Sequence, residues 1–363
     1  PLFRQASRDE RRMNALVALR TPDVLADFSG ARRLILEAQC PDGAIPWFKD
    51  GPWDAWNHAE CLMALDAAGE LDAVRRGLDY LAATQRPDGA WLCGYGNALP
   101  MEGRDRIARV EAPKVCDTNF AGYPATALWR LWLSRRDIAL VRRYWPMARA
   151  AVGFVLSCQH VEGDVSWCGE AHGTGVDDAV LSGCASLHAS LGHAIALSEV
   201  VGDPHPAWSL ARARLASVMR ERPERFDRAG VDRSGFAMDW YYPVLSGVVR
   251  DGLAGSRIDA GWGRFVEPRR GCRCVAAEPW ATVAESAELA LALVRLGRDR
   301  EARTILAWQN AHRDADGAFW MGWQFAEGIP WPLEKPTWTQ AAIMLAQEAL
   351  DSDGPAARVL IEA

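Results

Sequence analysis

The chain has no long apolar run, no paired-cysteine motif and no phosphate-binding loop, and each absence removes a class of function. No stretch of its 363 residues approaches the roughly 20 apolar residues that span a bilayer. Its first residues, PLFRQASRDERRMNAL, are charged where a secretory leader needs an apolar centre. A cytoplasmic location with no membrane partner is the expectation. The nine cysteines (40, 61, 93, 116, 158, 168, 184, 272 and 274) form an odd set without CxxC spacing, so neither a disulfide framework nor a zinc site is expected. Cys272 and Cys274 are the one close pair, and no further ligands stand at metal spacing around them. GxGxxG, HExxH and GxSxG are missing from usable contexts, and no cofactor is expected. Asp177-Asp178 lacks the DDxxD run of a magnesium-diphosphate site and reads as a helix start. A net charge of −6 argues against nucleic acid, whose phosphates call for clustered Lys and Arg.

Tyrosine is scarce as well, six residues beside ten Phe, yet there are seventeen Trp. Trp at this density either stacks on a flat ligand or plugs helix ends. Both uses meet in Gln39 to Glu60, QCPDGAIPWFKDGPWDAWNHAE. Pro41-Asp42-Gly43 is a chain reversal, since Pro presets φ, Asp bonds its own backbone and Gly accepts positive φ. Trp47, Lys49, Asp50, Trp53, Asp54, Trp56, His58 and Glu60 follow closely, a density beyond what a merely soluble loop needs. Flat apolar faces interleaved with acceptors suit a sugar ring, whose C–H face stacks while its hydroxyls bond. The plainer role for any one of these tryptophans is a wedge in the end of a helical barrel.

The turn recurs. Gln39-Cys-Pro-Asp42-Gly43 is matched by Gln85-Arg-Pro-Asp88-Gly89 and by Gln159-His-Val-Glu162-Gly163, with Trp47, Trp91 and Trp167 following; Gln309, Asp316-Gly317 and Trp320 form a degenerate fourth copy. The spacing of the first two fits one helical hairpin with its loops. Apolar periodicity predicts helices over 30–39, 53–68, 72–84, 122–134, 137–157, 177–201, 206–220, 243–253, 256–264, 280–296, 299–312 and 337–350. About six hairpins close an all-α (α/α)6 toroid, one domain over 1–363 with a funnel of loops at one end. The polar insert 94–120 and the irregular 223–280 are expected to build the mouth of that funnel.

Carboxylates beside tryptophans carry the chemistry. Asp50 ends WFKD, Glu170 follows Trp167 in WCGEAHG, Glu278 precedes Trp280 in AAEPW, and Glu327 and Glu334 flank Trp331. Glycoside hydrolysis asks for two carboxyls, one protonated and one ionised, roughly 6.5–9.5 Å apart when the second activates water. Apolar Trp walls raise one pKa by desolvation and so supply that asymmetry. A helix cap or a surface ion pair is the plainer use of each acid taken alone.

The segment TALWRLWLSRRDIALVRRYWPMARAAVGFVL, with the turn, Trp167, Glu170 and the Ala/Leu-rich helix that follow, resembles the central part of glucoamylase-type (α/α)6 glycosidases. WFKD resembles that family's WTRD-like segment, which implies that Asp50 holds a sugar with Trp47 stacked beside it. The family's acid directly follows its Trp, whereas Cys168 and Gly169 precede Glu170 here. PTWTQAA resembles the family's LTWS-like stretch, and the position of the family's base falls on Trp323, so Glu278, Glu327 or Glu334 takes that role if the chemistry is shared. The whole chain is also similar to actinobacterial proteins labelled prenyltransferase-like that include the methylmannose polysaccharide hydrolases, which are α-endomannosidases. The resemblance implies an α-(1→4)-mannan substrate.

The expectation is an inverting α-glycosidase acting on an oligo- or polysaccharide. Asp50 and Glu278 lead, Glu170 is the rival acid, and Trp47, His58, Glu60, Trp167, Tyr242, Trp280, Trp323, Glu327 and Trp338 shape the sugar sites. Two other readings stand beside it. One is a terpenoid cyclase or prenyltransferase, from the likeness of the Gln…Trp repeats to the QW motif, though a zinc triad and DxDD are missing. The other is a glycan-binding toroid without catalysis.

Overall fold

A computed structural model describes residues 27–95, 115–170 and 176–362. The first half runs α1 Ser29–Ala38, α2 Ala55–Ala67, α3 Leu71–Thr84, β1 Val115–Asp117, the short α4 Thr118–Gly122, α5 Pro124–Arg135, α6 Ile138–Ser157 and β2 Cys168–Glu170. The second runs α7 Leu181–Val201, α8 Pro206–Glu221, α9 Ala237–Leu245, α10 Asp251–Phe265, β3 Val266–Glu267, β4 Gly271–Arg273, β5 Trp280–Thr282, α11 Val283–Arg295, α12 Asp299–Trp308, β6 Gly322–Gln324, β7 Ile329–Pro330 and α13 Thr337–Asp351.

The helices are of two alternating kinds. α1, α3, α8, α10 and α12 bury one apolar stripe and expose the rest, as outer helices do. α2, α9, α11 and α13 are buried nearly all round, and the Ala, Ser and Gly of α7 let neighbouring backbones approach. The inner set packs in a circuit: α2 on α5, α5 on α7, α7 on α9, α9 on α11, α11 on α13, and α13 back on α2.

The Gln…Gly repeats hold this circuit together. Gln39 Nε2 donates to Gly43 O and to Ala73 O of α3; Gln85 and Gln159 do the same to Gly89 and Gly163 and to Met147 of α6 and Ala211 of α8. Gly43, Gly89 and Gly163 have positive φ, and a Cβ there would lie 2.2, 2.2 and 2.7 Å from the carbonyl oxygens of Arg76, Ala150 and Arg214. Only glycine lets each turn sit on the next outer helix. In the fourth copy Gly317 nests on Gly30 of α1, and Arg33 donates to Asp316 O, which ties the last turn to the first helix. Trp91 of the second copy is a fully buried plug whose indole N–H donates to Leu81 O. The repeat that resembles the QW motif is therefore scaffold.

Several expectations need correction. The described residues are not all helical: β1 pairs with β2, and β3 to β7 form a five-stranded antiparallel sheet in sequence order. These strands of two or three residues satisfy the backbone of the long loops that lead into α5, α11 and α13, a demand no periodicity reveals. The helix expected at 243–253 is α9, which begins six residues earlier because Trp240, Tyr241 and Tyr242 are core residues and Pro243 sits in its last turn. Asp177-Asp178 precedes α7 rather than starting it; Asp177 pairs with Arg228 and buried Asp178 lies 3.6 Å from Arg233. Most of the insert 94–120, residues 96–114, lies outside the described residues.

The link lengths give the molecule two unlike ends. The chain passes from each inner helix to the next outer one by a few residues, as at 68–70, 136–137 and 296–298. Every return is long, so the loops carrying Asp50, Trp167, Glu278 and Glu327 all gather where the inner helices begin.

Candidate active site

The loop entering α2 is a tight clamp. Gly51 N donates to Phe48 O and Trp47 N to Pro52 O, both at 2.8 Å, and the turn holds Asp50 exposed at φ 62°. Asp is among the few residues that tolerate this left-handed region. Trp47 donates its indole N–H to Asp54 Oδ2 at 2.6 Å and meets Trp338 edge to face, with centroids 5.3 Å apart. Thr337 at the start of α13 donates its amide and hydroxyl to the carbonyls of Trp47 and Pro46, so this Trp wall bridges two inner helices. Asp54 is fully buried and caps α2 through Asn57 N; burial pushes its pKa up.

Below the wall lies an aromatic floor. Trp56 stacks on Tyr123 with centroids 4.3 Å apart and donates to Glu60 Oε2 at 3.2 Å. Tyr241 and Tyr242 both donate their hydroxyls to Glu288 of α11. Glu60 and Glu288 line one cavity with Tyr123 and Tyr242, and desolvation raises both carboxyls, Glu288 to about 7 and Glu60 well above its ordinary value, with the charge of Glu288 adding to the shift at Glu60. The sequence reading placed Glu60 and Tyr242 near sugar; here they belong to this floor. It missed Glu288, whose sign was a lone acid at position 288 in the apolar run SAELALALV.

The other expected residues sit on the remaining loops of this end. Glu278 is exposed on the loop entering α11, its amide bonded to Val275 O. Glu327 is exposed at the β6–β7 turn. Trp280 donates to Trp331 O at 2.6 Å and meets that ring edge to face. Trp167 borders a cavity of about 140 Å³ with Asp117, Asn119 and Ser182. Glu170 pairs through its backbone with Val115, and its side chain lies outside the described residues.

Two expected sugar contacts are corrected. His58 is buried with both ring nitrogens engaged, Nδ1 accepting from Ile45 N and Nε2 facing Gly77 O, each at 3.0 Å. Burial lowers its pKa to about 4, and it serves as a neutral strut between α2 and α3. Trp323 faces away from Trp280, because Trp280 pairs with Gln324 and Trp323 with Ala281. Its ring is held between Arg270, 4.8 Å away, and His312.

This helix-rich fold has counterparts among the solved structures. No family model matches the chain. A wild-type glycosidase aligns over 96% of this chain and 99% of its own, with a TM-score of 0.64 at 14% identity. A D-mannose isomerase aligns over 89% and 95% at 0.64 and 10%. In sequence, the chain is 38% identical over 321 residues to the MMP endo-(1,4)-3-O-methyl-alpha-D-mannosidase of Mycolicibacterium hassiacum, covering 88% of this chain and 85% of that protein. The chain belongs to the family of that mannosidase and is a glycoside hydrolase. The terpenoid and non-catalytic readings are set aside.

Proposed function

We propose that the chain is an inverting endo-α-mannosidase that cuts (1→4)-linked, 3-O-methylated α-mannan at the mouth of a single-domain (α/α)6 toroid. The observation carrying this reading is the shared end of Asp50 and Glu278. Their loops enter α2 and α11, which flank α13, and the Trp47–Trp338 wall rises between them. The 38% identity to an enzyme named for that substrate supports the choice of sugar. An inverting hydrolase needs an ionised carboxylate to draw a proton from water. Glu278, exposed at the mouth, takes that role, and Asp50, fixed by its clamp, grips the sugar. Nine free cysteines support a reducing compartment for the enzyme.

The test is incubation with 3-O-methylated α-(1→4)-mannan oligosaccharides, unmethylated mannan and α-(1→4)-glucan, read by mass spectrometry. Internal cleavage of the methylated chain into shorter oligosaccharides is expected. Release of monosaccharide only, or faster cleavage of the glucan, would overturn the assignment.

A further inference from the structure

The site as described lacks a named proton donor for the leaving oxygen. Glu170, the sequence candidate, lies in β2, and the strand paired with β2 ends in another acid. Asp117 stands opposite Cys168 in that pairing, at the entry to α4 and α5. Its Oδ1 accepts both Asn119 N at 2.8 Å and Phe120 N at 3.0 Å. Among the described residues no donor reaches Oδ2. The carboxyl is half-buried and borders the 140 Å³ cavity lined by Asn119, Trp167, Ser182 and, from α9, Met238. That cavity has room for several water molecules and is lined on one side by an indole. In the inner circuit α5 and α11 are three steps apart, so Asp117 and Glu278 enter from opposite walls.

We propose that Asp117 is the general acid of the hydrolysis, and that the cavity beside it takes the sugar on one side of the cleaved bond. This rests on the hydrolase reading above. The bond from the anomeric carbon to the glycosidic oxygen breaks, and that oxygen takes the proton of Asp117. Water forms the new bond to the anomeric carbon and gives a proton to Glu278. Exchange with solvent then returns the proton to Asp117 and removes one from Glu278.

The surroundings suit an acid kept protonated near neutrality. Burial pushes Asp117 up to about 7, its two amide bonds oppose that rise, and the charge of Asp54 on α2 adds to it. The other titratable neighbours are the thiols of Cys93, Cys116 and Cys168, which burial holds neutral. Since the protonated form is the active one, activity is present below pH 7 and lost as pH rises through about 7.

Asp117→Asn tests this, because Asn caps a helix as well as Asp does and removes only the proton. On methylated mannan oligosaccharide kcat is expected to fall about 100- to 10,000-fold, with the alkaline limb of the pH–rate profile gone. α-Mannobiosyl fluoride, whose leaving group needs no protonation, is expected to keep most of its rate. Equal loss on both substrates, a loss under about threefold, or an alkaline limb unchanged in the variant would overturn the assignment. Asp117→Ser, which also caps, repeats the test should the amide fail to fold. A wild-type chain inactive on both substrates would instead refute the mannosidase reading itself.

Discussion

Glu278→Gln is expected to lower kcat on methylated α-mannan oligosaccharides about 1,000-fold while leaving the melting temperature within about 2 °C of wild type. The two halves of this expectation have one cause. The Glu278 side chain is exposed on a loop and closes that loop through its backbone, so stability does not depend on its charge. A base that draws the proton from the attacking water acts only in the transition state, so its loss appears in kcat and not in KM. Asp50 differs. As the proposed sugar-gripping group it is expected to contribute to both parameters, and Asp50→Asn is the cleaner replacement, because Asn tolerates the φ of 62° that alanine would strain. Steady-state kinetics on both variants check the point; a Glu278→Gln enzyme within tenfold of wild type would remove Glu278 from the mechanism.

The largest stability effect is expected where the inner helices end. Arg130 is 1% exposed, pairs with Asp66 at 3.3 Å and with Glu348 at 2.8 Å, and donates to Ala356 O at 2.6 Å. One guanidinium thereby joins α5 to α2, to α13 and to the C-terminal segment. Arg130→Met leaves the buried Asp66 and the partly exposed Glu348 without that partner, although Arg135 still reaches Asp66 at 2.9 Å. The expected cost is about 3 kcal/mol, at the lower edge of the range for a broken buried pair, because of that remaining contact. Urea unfolding measures it, and a loss under about 1 kcal/mol would show that Arg135 suffices. Turnover of the folded variant is expected to match wild type, since these residues lie where the inner helices end.

How much of this was legible depended on the kind of signal. The Gln39, Gln85 and Gln159 turns revealed the hairpin repeat because glycine and proline mark chain reversal locally, and the helices between them carry a clear stripe. The sheet was hidden, because strands as short as Val266–Glu267 have no period to read. α9 was misplaced because Pro243 reads as a break, whereas it occupies a last turn where the helix is already ending. At the site, residues on exposed loops such as Asp50 and Glu278 could be nominated from composition alone. Glu288 and Asp117 could not, because a carboxyl inside an apolar helix and a carboxyl that caps one look the same in sequence whether or not they face a cavity. His58 shows the converse error: a polar residue in a polar-looking stretch turned inward to bond Ile45 and face Gly77.

The most direct measurement is the anomeric configuration of the first product, followed by proton NMR during cleavage of methylated α-(1→4)-mannan. With Asp117 and Glu278 entering from opposite walls and water between sugar and base, the new reducing end is expected to appear first as the β-anomer and then mutarotate. Initial release of the α-anomer would mean a covalent intermediate, and with it a nucleophile where Glu278 is held to activate water.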